Sequence, residues 1–225
     1  MRLDREPRPQ HASRAWNLSE VLAPPWAPVA TAGALAVTGA LGAVVWHSHE
    51  LGGIDAWAMQ EIPAHSHGYR GFLVASAISD ILGPFLVGLV MAVAVLAWWR
   101  LRRTDAVVLS MLVGPATLAA EVALKHLVAR QLPGGGPRMY PSGHLAIATA
   151  VAVTVVLVVR AGMVSARAHR AVGLLAVLLV LVAAWARLTE TAHSLSDVVG
   201  GITTGLAVAL GLALALSART GGGNR

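Results

Sequence analysis

Cysteine is absent from the 225 residues, which excludes a disulfide framework, a thiolate metal centre and any mechanism built on a cysteine nucleophile. Charge is scarce: Asp, Glu, Lys and Arg make up 12% of the chain, against 56% hydrophobic residues. Aromatic residues amount to 5%. With a mean hydropathy of +0.66, that poverty of charge excludes an ordinary soluble domain and points to a chain that crosses a membrane several times. The formal net charge of +6 does not point to nucleic acid, because the arginines stand in short clusters between apolar runs rather than along one soluble face.

Residues 1–25 are rich in Arg and Pro and hold no apolar run; they read as a cytoplasmic arm of low intrinsic order. Six apolar runs follow, at 26–46, 81–99, 106–124, 144–159, 171–186 and 198–216, each suited to a helix that spans the hydrocarbon core once its polar ends sit at the interface. The first follows a long polar stretch and has no clear small-x-small cleavage site after it, so it reads as a span rather than a signal sequence. The expected fold is therefore all-α, a polytopic membrane domain of six transmembrane helices over 26–217 with a short Gly-rich cytoplasmic tail at 218–225. Residues 47–70 are too polar for the bilayer core, and 69–80 are expected to lie along the interface as an amphipathic helix. The same stretch holds His47, His49, His65 and His67, two His-x-His pairs whose spacing suits zinc or copper, although exposed loop histidines are common.

Positive charge orients this layout. With the N-terminus inside, twelve of the seventeen Lys and Arg residues fall on the cytoplasmic side, in keeping with the positive-inside rule. The exceptions are Arg70, Lys125, Arg130, Arg138 and Arg187. The last four fall at the outer ends of spans three, four and five or in the loop that joins them, where Pro133-Gly134-Gly135-Gly136-Pro137 forbids a helix. His126, His144 and His193 fall at the same level. Any one of these would read as a boundary anchor; together they mark a candidate site at the extracytoplasmic face.

Two segments there carry chemistry. In Pro141-Ser142-Gly143-His144 the serine reads as the N-cap of the fourth span, with free backbone amides at the first turn that favour an anion. In the second segment, His193 and Asp197 are four residues apart and would share a helix face if the sixth span begins near them. A carboxylate accepting from one imidazole nitrogen leaves the lone pair of the other free to attack. Ser194-Leu195-Ser196-Asp197 also reads as a capping box for the sixth span, and the two readings are compatible. Glu121, one turn before Lys125, is expected to pair with Lys125 or Arg130, and Glu190 to face solvent.

Pro141-Ser142-Gly143-His144, then Arg187, His193 six residues on and Asp197 four beyond, resemble the second and third signature motifs of the phosphatidic acid phosphatase type 2 superfamily. Lys125 with Pro133 resembles its first motif, Lys-x6-Arg-Pro. The resemblance runs from the third span to the sixth. It implies a membrane-bound lipid phosphatase that hydrolyses a phosphate ester or diphosphate of a lipid through a phosphohistidine intermediate. By the same resemblance His193 is the nucleophile, Asp197 orients it and His144 is the general acid. Lys125, Arg130, Ser142, Gly143 and Arg187 would hold the phosphate oxygens, and no metal or other cofactor is implied.

Two departures stand out. Leu132 occupies the place of the first-motif arginine, with Arg130 the favoured replacement and Arg138 a substitute phosphate ligand. Ala186 replaces a serine that would add a supporting hydrogen bond. The small size and six spans resemble bacterial members that act on carrier lipid, which ranks polyprenyl diphosphate ahead of phosphatidic acid and phosphatidylglycerol phosphate. The implied partners are the lipid phosphate and surrounding membrane lipids, not nucleic acid, and oligomeric state is left open. A lipid phosphotransferase would use the same intermediate, and the missing arginine keeps a degenerate, non-catalytic membrane binding protein in view. Vanadium haloperoxidases share the constellation but are soluble, which six apolar spans oppose.

Overall fold

Among the described residues seven α-helices carry the chain: α1 (Ala27–Ser48), α2 (Gly53–His65), α3 (Tyr69–Leu96), α4 (Thr104–Val128), α5 (Gly143–Gly162), α6 (Ala166–Thr189) and α7 (Leu195–Gly221). The computed structural model describes residues 24–48, 52–66, 68–130, 139–162 and 165–221. Most of the N-terminal arm, His49, His67 and the loop segment with Leu132, Pro133 and Arg138 lie outside the described residues. Among the described residues there is no strand. Every helix but α2 is long and apolar enough to cross a membrane, so the protein is all-α with the six spans that the apolar runs announce.

The second span differs from its expected bounds. α3 starts at Tyr69 and runs through Pro84 to Leu96, then continues as a π-helical turn over Ala97–Leu101. Residues 69–80 are thus part of the span and not a separate interfacial helix. Ser76, Ser79 and Asp80 lower the local hydropathy without breaking a helix. The 28 residues of α3 measure about 42 Å against a hydrocarbon core of about 30 Å, so the span has turns to spare at its ends. The short helix of this region is instead α2, which packs on α6 and α7 with Asp55 and Ala58 buried and Ile54 and Trp57 exposed.

α5 and α7 form the centre. Within the protein 56% of the apolar stretch of α5 and 50% of that of α7 are buried, against 17% for α6 and 22% for α1. α5 is surrounded by α3, α4, α6 and α7, and α1 packs on the far side of α7. In lipid no hydrophobic force drives helices together, so close backbone approach between small residues does much of that work. Gly201 and Gly205, four apart on one face of α7, provide it: a Cβ would stand 2.4 Å from the Ser142 carbonyl oxygen at Gly201 and 2.2 Å from that of Ala146 at Gly205.

This seam sets the start of α5 against the start of α7, where the Ser142 N–H donates to the Asp197 carbonyl oxygen at 2.9 Å. Gly200 admits the ring of Tyr140, which a Cβ there would meet at 2.4 Å. Tyr140 is fully buried, and its O–H donates to the Thr38 carbonyl oxygen of α1 at 2.7 Å. Burial, reinforced by the negative charge of Asp197, pushes the phenol up to about 12, so it remains a donor through the neutral range.

The seam makes two predictions for thermal unfolding in detergent. Gly205→Ala should cost about 1–3 kcal/mol by overpacking, whereas Gly173→Ala on α6, where nothing lies within 4 Å of the added Cβ, should leave stability unchanged or raise it. Tyr140→Phe should cost about 1 kcal/mol for the lost buried hydrogen bond.

Candidate active site

The site is built where α7 begins. Ser194 precedes the helix and exchanges bonds with its third residue: the Ser194 N–H donates to Asp197 Oδ2 at 2.9 Å, and the Asp197 N–H to Ser194 Oγ at 3.4 Å. The capping box read from the sequence is therefore present. His193 stands just outside it, after a turn in which Thr191 takes a left-handed φ of 53°. Its Nδ1 lies 3.7 Å from Asp197 Oδ2. The pair meets across the helix start, not along a helix face as the spacing of four suggested, because α7 begins only at Leu195. The carboxylate that caps the helix is thus also the one beside the histidine.

Arg130 is placed differently from the phosphate-facing position expected of it. It follows the left-handed C-cap Ala129 of α4 and is buried to 4% exposure. Its Nη1 donates to Asp197 Oδ1 at 3.1 Å, Ser194 Oγ at 2.9 Å and Ser196 Oγ at 2.7 Å, and its Nη2 to Asp55 Oδ2 at 3.0 Å. Asp55 reaches in from α2 and accepts from the Ser196 N–H at 2.8 Å and the Ser196 O–H at 2.6 Å. Two buried carboxylates left without a cation would be costly, and that demand engages both terminal nitrogens of the guanidinium. Nothing in the sequence pattern singles out Asp55, a lone acid in a polar stretch.

Lys125 and Glu121 pair at 2.7 Å, one of the two pairings expected for Glu121. The carboxylate lies where a side chain of Gly143 would be, 2.2 Å from the would-be Cβ, so glycine lets the Lys125–Glu121 pair reach the first turn of α5. Ser142 occupies the cap position, with its carbonyl oxygen accepting from the Ala146 N–H at 3.0 Å. Its fully buried Oγ makes no hydrogen bond, so the expected side-chain cap is not formed. His144, the second residue of α5, is exposed.

At the end of α6, Arg187 Nη1 binds Glu190 Oε2 at 2.5 Å. The Glu190 side chain is only 8% exposed, which corrects its expected solvent position: its charge is matched by Arg187 rather than by water. Glu121 lies against Gly143, the Ser142 N–H bonds the Asp197 carbonyl, and Arg187, Glu190 and His193 lie near enough to interact with the His144 ring, so the two histidine motifs and the Lys125–Glu121 pair converge. His126 does not join them; it is exposed, and its Nδ1 bonds the Val122 carbonyl of its own helix at 2.8 Å. Arg138 lies outside the described residues. His47 and His65 likewise bond their own helices, through Ala43 and Glu61, and among the described residues no three His, Cys, Asp or Glu side chains are grouped for a metal ion.

Three buried polar atoms of this site have no hydrogen-bond partner: Ser142 Oγ, Arg187 Nε and His193 Nδ1. Buried polar atoms are nearly always bonded; His193 Nδ1 faces Asp197 Oδ2, and the other two, in a cluster of cations, histidines and helix-start amides, suit an anion carrying several oxygens. The arrangement has the parts for phosphoryl transfer: an imidazole backed by a carboxylate, a second imidazole open to the outside, and two cations.

Comparison with known proteins bears on the fold and on the segment that carries the motifs. No curated protein matches the chain in sequence. The fold is similar to the crystal structure of the first transmembrane PAP2 type phosphatidylglycerolphosphate phosphatase, from Bacillus subtilis, with a TM-score of 0.65 and 16% identity over 87% of this chain and 97% of that one. At that identity the likeness is one of fold. Residues 114–220 match the PAP2 superfamily, a segment that contains Lys125, Arg130, His144, Arg187, His193 and Asp197 but not Asp55. Over that segment, in motif order and in the surrounding helical fold, the chain is similar to the PAP2 superfamily.

Proposed function

We propose that the protein is a membrane lipid phosphatase working through a phosphohistidine. The observation that carries this reading is the convergence of His193, backed by Asp197, with His144, Arg187 and the Lys125–Glu121 pair at one end of six membrane-spanning helices. In the first step His193 Nε2 forms a bond to the terminal phosphorus while the bond to the oxygen on its lipid side breaks, and His144 gives its proton to the leaving oxygen, that of an alkoxide from a monoester or of a lipid phosphate from a diphosphate. Asp197 balances the charge that develops on the His193 ring. In the second step His144 takes a proton from water, whose oxygen bonds to phosphorus as the P–N bond breaks. Phosphate leaves and both histidines return to their starting states. Lys125, Arg187, Ser142 and the Gly143 amide stabilise the equatorial oxygens; Arg130, committed to Asp55 and Asp197, works from behind the nucleophile.

A site at the ends of membrane helices suits a substrate whose headgroup lies at the interface while its tail stays in the bilayer. Polyprenyl diphosphate ranks first by analogy with small bacterial members. Phosphatidylglycerol phosphate, named for the structurally similar Bacillus subtilis protein, and phosphatidic acid complete the panel. The excess of Lys and Arg on the N-terminal side favours cytoplasmic termini and an extracytoplasmic site in the cell membrane. Residues 26–217 form the catalytic domain between the arm and the tail.

Release of inorganic phosphate from that panel in detergent, with EDTA present, tests the proposal. Wild type should turn over at least one of the three lipids undiminished by EDTA, and His193→Ala should lose about a thousandfold or more in kcat. A His193→Ala variant as active as wild type, or wild type inert on all three, would contradict it. Arg187→Lys should lower kcat/KM by about ten- to a hundredfold, because lysine lacks the planar fork and the Nε donor.

A further inference from the structure

We infer that Asp55 and Arg130 are positioning residues that hold the Asp197 carboxylate in register with His193, so that α2 completes the active site from outside the motif-bearing segment. The inference rests on the reading of His193 as nucleophile. Asp197 has two carboxylate oxygens with separate tasks: Oδ1 accepts from Arg130, while Oδ2 accepts from the Ser194 N–H and faces His193 Nδ1. A carboxylate free to rotate would exchange the two. Arg130 prevents this, and Asp55 in turn fixes Arg130 through Nη2. Ser196 closes the ring, accepting from Arg130 and bonding Asp55 through both its N–H and its O–H. All three ionised side chains are at most 6% exposed, so the arrangement is shielded from water and salt.

Charge supports the same conclusion. The charged groups gathered at this end of the helices are Asp197 of α7, which faces His193, Arg130 and Asp55 behind it, the Arg187–Glu190 pair at the end of α6, the Lys125–Glu121 pair of α4, and His144 of α5, on which His193, Arg187, Glu190 and Glu121 act. Lys125 and Arg187 are each matched by their own glutamate. Asp55, Arg130 and Asp197 together leave one net negative charge behind the imidazole. Removing Asp55 would cancel that charge, whereas removing Arg130 would double it. Asp55 lies outside residues 114–220, the segment that matches the PAP2 superfamily, so this one member of the device comes from the polar stretch between the first two spans. There α2 turns Asp55 inward while Ile54 and Trp57 face outward.

The test compares full-length wild type, Asp55→Asn, Arg130→Gln and the double variant in detergent, using phosphate release from phosphatidic acid, phosphatidylglycerol phosphate and polyprenyl diphosphate. For a lipid that wild type accepts, each single variant should lose about tenfold or more in kcat with KM within about twofold. The acid limb of the pH–rate profile should move to lower pH in Asp55→Asn and to higher pH in Arg130→Gln, and return towards wild type in the double variant. A KM that rises while kcat holds would make Arg130 a phosphate ligand instead, and limbs that do not move in opposite directions would reduce Asp55 to a structural role; either result overturns the inference. Nitrogen NMR of histidine-labelled protein reads the same device without turnover. The His193 ring should hold a single tautomer with the proton on Nδ1 in wild type and a mixture in Ser196→Ala, a milder change that leaves no bare charge if Asp55→Asn does not fold. A fixed tautomer in both would count against positioning even if hydrolysis is observed, whereas the expected NMR result with inert wild type would sink only the proposed hydrolysis.

Discussion

Asp197 is 1% exposed, and a lone carboxylate at that depth costs several kcal/mol unless it is paired and hydrogen-bonded. It is answered from several directions: by the Arg130 guanidinium at Oδ1, by the Ser194 N–H at Oδ2 and, through its backbone carbonyl, by the Ser142 N–H. Each of those partners belongs to a different part of the site. Arg130 brings the end of α4 and, through Asp55, the short helix α2; Ser194 brings the start of α7 with His193 beside it; Ser142 brings the start of α5 with His144 two residues on. Satisfying the carboxylate and the backbone carbonyl of one buried residue therefore assembles elements from four stretches of the chain.

That hub works only because α5 and α7 approach closely enough to share it. Gly201 and Gly205 let the two backbones close, and Gly200 makes room for the Tyr140 ring that ties the preceding loop to α1. The same economy of side chains recurs at Gly143, whose missing Cβ leaves space for the Glu121 carboxylate. The two cations proposed to meet a phosphate, Lys125 and Arg187, each hold a glutamate. A phosphate entering this site must share or replace those contacts, so its gain in binding is a difference between two charge-assisted pairings rather than the whole of one.

Much of this was legible in the sequence, for physical reasons that differ from part to part. The six spans were readable because the bilayer demands about twenty apolar residues for a crossing. The α3 start was not, because Ser76, Ser79 and Asp80 dilute the hydropathy of a helix that simply continues. The motif residues were readable because their types and order resemble a family, and the Lys125–Glu121 pair because a spacing of four fixes neighbours on a helix. The roles of Arg130, Glu190 and Asp55 were hidden by their dependence on tertiary placement. The family resemblance points Arg130, two residues before Leu132, at phosphate, yet two carboxylates, one of them 75 residues away in sequence, hold it. Gly201-Ile202-Thr203-Thr204-Gly205 was the legible signal passed over, since two glycines four apart in an apolar helix mark a packing seam.

The central claim is that the carboxylate-backed imidazole of His193 takes the phosphoryl group. It is tested most directly by mixing the purified protein with a lipid phosphate radiolabelled in its terminal phosphoryl group, quenching in alkali during turnover, and mapping the label. The account predicts a phosphoryl group on His193 that survives alkali, is lost in acid, and does not form in His193→Ala. Turnover with no labelled protein, or a label on any other residue, would contradict it.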